Sequence, residues 1–294
     1  MVAAPALSPA GFPLGRAPFA LEGLSETPSA NAVDVEFRRP PRAGLLVDLR
    51  SGRVLWQLHP LRRVAIASLT KMITALVAAR ALAPRAPVLI RHDDVEVPGS
   101  KVGVLPVGRR VPFDSMLYGL MLPSGNDAAY AIAEAVSGSA ARFVRLMNEQ
   151  AARLGLACSR FASPSGFVDA RNFSCAADLA VLARLDLANP RIARVARTHY
   201  AVMPFPIKGG KLYLTNNNPL FRYAYPGLTG LKTGYTEAAG RCLVATATRH
   251  GISLVAILLH SPGPASQAKK LLDSAFAHVY HLPRVPEEPV PPLA

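Results

Sequence analysis

Apolar and polar positions divide the chain into blocks of distinct period. From Gly44 to Pro60, "GLLVDLRSGRVLWQLHP" places two apolar runs on either side of a Ser-Gly turn, which predicts a β-hairpin. A helical pattern follows, containing "AIASLTKMITAL" (Ala65–Leu76) and ending before Pro84. Apolar residues then recur at three-to-four spacing in "FDSMLYGLML", "DAAYAIAEAVSG", "SAARFVRLMNEQAARLG" and "CAADLAVLARLDLA", each predicting a helix. After a Pro-rich crossing and "KLYLTNNNPL", the segments "GLKTGYT", "RCLVATATR" and "ISLVAILLH" read as strands. They are split only by "EAAG" and "HG", so they pair as antiparallel neighbours. "ASQAKKLLDSAFAHVY" predicts a closing helix.

Strands first, helices in the middle, then strands and a helix make an α+β class. The two ends are expected to build one antiparallel sheet flanked by helices, with an all-helical lobe inserted at about 84–190. The domain is read as 43–282. Residues 1–42 form a Pro/Ala-rich N-terminal extension, with ordered structure expected to begin near Ala43, and 283–294 form a Pro-rich tail.

Composition narrows this picture. The 294 residues are 50% hydrophobic, enough for a packed core, and no run approaches the roughly 20 apolar residues of a membrane-spanning helix. The net charge of +14 suits polyanions such as anionic wall polymers or a membrane surface. No basic run and no aromatic–basic interleaving is present, so nucleic acid is not an expected partner. Cys158, Cys175 and Cys242 contain no C-x-x-C pair and are odd in number. They are expected as three buried thiols, with a Cys158–Cys175 bridge left open should the protein be exported. His278 and His281 share a helix face but lack a third ligand, so metal is not expected. The N-terminus has neither a basic start nor an unbroken apolar stretch, so no export signal is evident.

One cation, Lys71, interrupts the apolar stretch Ala65–Leu76. A buried ammonium is costly unless it is paired or deprotonated. Ser68 lies one turn before Lys71 on the same helix face. A serine hydroxyl needs a base within reach to act as a nucleophile, and a desolvated lysine can be that base. A snorkelling lysine would give the same spacing. Ser124-Gly125-Asn126 falls in a tight interhelical loop, with Asp127 expected to cap the next helix. Lys232-Thr233-Gly234 falls in a strand, where glycine often marks close approach of a backbone or ligand. Each alone has a structural explanation. Together, in this order, they match the S-x-x-K, S-D-N and K-T-G signature of penicillin-interacting serine enzymes.

The chain resembles low-molecular-mass penicillin-binding proteins of the serine D-alanyl-D-alanine carboxypeptidase family over roughly Ala43 to Leu282. The resemblance extends to "ASLTKMITA", "SGNDAA", "FASPSGF" and "GLKTGYTEAAGRCLVATA". It implies the DD-peptidase/β-lactamase-like fold, with the active site where sheet and helical lobe meet. It further implies that Ser68 attacks the carbonyl between the two terminal D-alanines of a peptidoglycan stem peptide, that Lys71 takes its proton and that Ser124 relays a proton to the leaving D-alanine. Asn126 would hold the substrate, and Lys232, Thr233, Gly234 and Tyr235 would form the substrate-binding strand. Lys232 supplies charge near the substrate carboxylate, and the N–H groups of Ser68 and Tyr235 form the oxyanion hole. No metal or cofactor is implied; β-lactam antibiotics are implied as covalent inhibitors, and the site of action as extracytoplasmic. Two departures stand out. The stretch "SPGPASQAKK" lacks the arginine that many relatives carry before the last helix, so Lys232 is expected to be the chief reader of the terminal carboxylate. Only the Pro-rich tail follows Leu282, so neither an appended β domain nor an amphipathic anchor is expected. Other readings are a class A-like β-lactamase, for which Asp169 in "SPSGFVDARN" is the sole candidate carboxylate, a DD-endopeptidase cutting crosslinks, and a non-catalytic wall-binding module.

Overall fold

The computed structural model describes residues 19–25, 31–167 and 171–283. Asp169 lies outside them. Five strands form one antiparallel sheet: β1 (Ala43–Asp48), β2 (Val54–Leu58), β3 (Leu228–Thr236), β4 (Gly240–Arg249) and β5 (Ile252–Leu259), in the order β2-β1-β5-β4-β3. The ends of the sequence meet in this sheet, with Ala43 opposite Leu259 and Asp48 opposite Leu254. Central strands β1 and β5 are buried nearly throughout, as continuous apolar runs between covered faces should be.

The main helices are α1 (Lys71–Ala81), α2 (Phe113–Met121), α3 (Asn126–Ser137), α4 (Ala140–Arg153), α5 (Ala176–Ala188), α6 (Pro190–Ala196) and α7 (Pro264–Ser274). One face of the sheet shares a core with α1–α6, through Leu45, Val47, Val244 and Ile257. The other face packs on α7 through Leu46, Leu243, Leu258, Leu271 and Leu272. Although α5 falls within the stretch expected to form the lobe, it packs directly on β1 and β5. Helix α1 is buried on nearly all sides, at the centre of the molecule.

Three expectations are corrected. Ordered structure begins before Ala43. Glu22 pairs with Arg53, Val33 N donates to Leu55 O, and Val33 and Val35 are buried against the α7 side of the sheet. β2 is an edge strand of the sheet, and the extension pairs with its outer backbone groups, Val54 N donating to Glu22 O and Gln57 N to Asn31 Oδ1. Cys158 and Cys175 are joined in a disulfide with their Cα atoms 5.6 Å apart, leaving Cys242 as the free, buried thiol. Asp127 is not the cap of α3, which begins at Asn126 after Gly125. Its carboxylate instead accepts hydrogen bonds from the N–H groups of Val102 and Gly103, and ties down the loop that crosses in front of the helix.

Candidate active site

The strand and helices converge on the edge of β3. Ser68 lies in a 3₁₀ turn, Ala67–Thr70, that leads directly into α1, so it stands one turn ahead of the α-helix proper. This turn packs flat against β3. A Cβ on Gly234 would meet Ile66 O at 2.8 Å and Ser68 N at 3.1 Å, which is why the strand carries glycine there. Ala67 and Ser124, in the turns that present the two serines, hold left-handed backbone conformations (φ 47° and 66°) that cost a non-glycine residue about 1–3 kcal/mol each.

Lys71 is fully buried, and its amine has three neighbours. Nζ lies 2.9 Å from Ser68 Oγ, 2.7 Å from Asn126 Oδ1 and 3.0 Å from Ser165 O. Asn126 Oδ1 and the Ser165 carbonyl can only accept. A neutral amine has two hydrogens to give them, and its lone pair is then left for the Ser68 hydroxyl. Desolvation holds the Lys71 amine well below the usual lysine range. The Lys232 ammonium lowers it further, against an opposing pull from Asp127. The site therefore favours the base form.

Ser165 was not singled out from the sequence. Its carbonyl reaches Lys71 because the "SPSG" turn packs under α1: Pro164 O accepts from Thr74 Oγ1 at 2.7 Å, and a Cβ on Gly166 (φ +78°) would meet Ala67 O at 2.0 Å. Asn126 is buried, and its Nδ2 donates to Pro98 O at 2.6 Å. Its amide is thus oriented by the protein, with one N–H remaining for a ligand. Ser124 lines the cleft, nearly buried, and its Oγ has no hydrogen-bond partner among the described residues. Lys232 is buried, donates to Thr233 O at 3.0 Å, and is lowered to about 7 by that burial. Thr233, Gly234 and Tyr235 line the cleft with Ser68, and Tyr235 is 64% exposed.

The cleft has a volume of about 470 Å³. Its far wall is built by His199, Asn217, Phe221, Arg222, Arg241 and Pro264. Arg241 faces Tyr235 across the β3–β4 pair. Neither arginine carries a local signal in the chain, because strand pairing and a remote turn bring them to the cleft. Among the described residues, no carboxylate lines it. The one grouping of metal-type ligands among the described residues is Cys158, Cys175 and Asp178, where both sulfurs are consumed in the disulfide.

The D-alanyl-D-alanine carboxypeptidase family matches residues 35–263, most of the chain and every residue of this cleft except Pro264. The chain belongs to that family. DacF of Bacillus subtilis, a D-alanyl-D-alanine carboxypeptidase, is 32% identical over 250 residues, covering 82% of this chain and 64% of its own length. DacB2 of Mycobacterium tuberculosis, of the same description, is 35% identical over 246 residues, covering 81% of this chain and 83% of the relative. Among solved structures, a mutant of a Streptomyces DD-transpeptidase superposes with a TM-score of 0.77 at 31% identity, over 82% of this chain and all of the other. The crystal structure of a D-alanyl-D-alanine carboxypeptidase from Mycobacterium tuberculosis gives 0.76 at 31% identity, over 85% and 95%. The family fold agrees with the sheet, the helices and the junctional cleft expected from the sequence.

Proposed function

We propose that the chain is a serine-type D-Ala-D-Ala carboxypeptidase that acts on peptidoglycan stem peptides and is acylated by β-lactam antibiotics. The observation that carries this is the Lys71 amine, dry and committed to two acceptors, 2.9 Å from the Ser68 hydroxyl. Ser68 Oγ attacks the carbonyl between the last two D-alanines as its proton passes to Lys71 Nζ. The tetrahedral oxyanion lies toward the N–H groups of Ser68 and Tyr235. Its collapse breaks the peptide bond, and the leaving D-alanine nitrogen takes a proton by way of Ser124. Water then attacks the acyl-enzyme carbonyl and gives a proton to Lys71; the ester bond breaks, Ser68 Oγ takes that proton back from Lys71 Nζ, and the shortened peptide leaves. Asn126 fixes the Lys71 amine and offers its remaining N–H to the substrate, while Lys232, Thr233, Gly234 and Tyr235 form the strand along which the peptide lies.

The match to the D-alanyl-D-alanine carboxypeptidase family supports slow deacylation, and so a lasting penicillin adduct rather than β-lactamase turnover. The Cys158–Cys175 disulfide supports an oxidising, extracytoplasmic setting. A net charge of +14 supports association with anionic wall polymers or an anionic membrane surface. Among the described residues, no helix is long and apolar enough to cross a membrane.

The test is intact-mass measurement after incubation with benzylpenicillin, followed by peptide mapping. A single stable adduct on Ser68 is expected, absent in a folded Ser68→Ala variant. An adduct on another serine, or rapid penicillin turnover, would contradict the proposal.

A further inference from the structure

A second concavity of about 680 Å³ lies beside the catalytic cleft and shares Tyr235 and Arg241 with it. Three distant parts of the chain line it: Arg38 and Arg39 from the N-terminal segment, Arg241 at the start of β4, and His260 with Ser261 after β5. No acidic residue is among its described lining. Arg38, Arg39 and Arg241 are all exposed, and among the described residues none of the three guanidiniums has a hydrogen bond or ion pair.

The two N-terminal arginines are held at this rim. Arg39 O accepts from Gln267 Nε2 at 2.7 Å, Glu36 O accepts from Lys270 Nζ at 3.0 Å, and Arg42 N donates to Leu259 O at 3.0 Å. Like charges gathered without counter-charges repel one another, and an anion in the concavity relieves this. Guanidinium groups match a carboxylate in particular, through paired N–H donors.

The strand gives the direction. Lys232 and Thr233 come first along β3, and Tyr235 lies farther on, at the shared wall. With the leaving residue on the Ser124 and Lys232 side, the acyl part of a peptide continues past Tyr235 toward the concavity. We propose that this concavity is a subsite for a carboxylate carried by the acyl part of the substrate, upstream of the scissile bond. The proposal rests on the carboxypeptidase reading above and adds a substrate class to it: peptides with an acidic group before the D-Ala-D-Ala terminus.

The test uses two N-acetylated peptides ending in D-Ala-D-Ala that differ only in one upstream side chain, Glu or Gln, on the wild type and on an Arg38→Gln/Arg39→Gln variant. The wild type is expected to prefer the Glu peptide by about tenfold or more in kcat/KM, the scale of one charged hydrogen bond. The variant is expected to lose most of that preference while keeping its rate on the Gln peptide and its acylation by benzylpenicillin. Equal wild-type rates on the two peptides would overturn the subsite, as would a variant that slows both alike. A variant whose loss follows the C-terminal carboxylate, seen with chain-end amides, would overturn it too. If neither peptide is cleaved and no penicillin adduct forms, the carboxypeptidase reading itself falls; cleavage without discrimination removes only the subsite.

Discussion

Two lysines at the cleft are buried, and the proposed mechanism asks different things of them. As the proposed base, Lys71 would accept a proton, and burial favours its neutral amine. Replacing it with arginine keeps a cation but removes the base. Lys71→Arg should lower penicillin acylation by about a hundredfold or more, the usual scale for a general base. Near-normal acylation in that variant would exclude the role. Lys232 is lowered to about 7 by burial, whereas in the unfolded chain a lysine titrates near ~10.4. Between those values the unfolded state holds a proton that the folded state has lost, so this group makes stability rise with pH. Its burial penalty is largest below pH ~7 and fades toward pH ~10. Denaturant unfolding at pH 7.5 and 9 should therefore show the wild type gaining on Lys232→Met by up to about 1.4 kcal/mol per pH unit. A gap that stays constant, or moves the other way, would show that Lys232 titrates normally.

At the level of elements, the site is one 3₁₀ turn laid against one edge strand, and Gly234 is the point of contact. Gly234→Ala would place a methyl 2.8 Å from the Ile66 carbonyl, where backbone and not a pliable side chain has to yield. Overpacking of this kind costs about 1–3 kcal/mol. A displacement of even ~1 Å between Ser68 and the strand can slow the chemistry by about a hundredfold. Both losses should appear together, in melting and in acylation kinetics; a stable variant that acylates normally would mean the turn and strand do not need this contact. The same contact explains what could be read from the sequence. Ser68 and Lys71 were legible because three residues along a helix fix their geometry locally, and Lys232-Thr233-Gly234 because strand period and glycine are local too. The Ser165 carbonyl, which completes the Lys71 environment, lies 94 residues away and contributes only backbone. The covering of β2 by residues 19–25 and 31–42 was equally hidden, since an edge cover needs no hydrophobic period.

Across the whole molecule, Lys71, the proposed base, is held by a chain of long-range ties that ends at the Cys158–Cys175 disulfide. The bridge spans 17 residues, and inside that span lie Pro164, whose carbonyl accepts from Thr74, and Ser165, whose carbonyl accepts from Lys71. Its formation could not be fixed from the sequence because thiol or disulfide depends on compartment. Closing a loop of this size stabilises by roughly 3 kcal/mol in the chain-entropy model. For a domain of this size each kcal/mol shifts Tm by about 2–4 °C. A Cys158→Ala/Cys175→Ala variant should thus melt roughly 6–12 °C lower. Because the freed segment also carries the Lys71 acceptor, acylation by benzylpenicillin should slow even at a temperature where the variant is fully folded by circular dichroism. Wild-type protein held in reductant should reproduce both changes. If Tm falls but acylation in the folded variant matches the wild type, the disulfide stabilises the fold without holding the base.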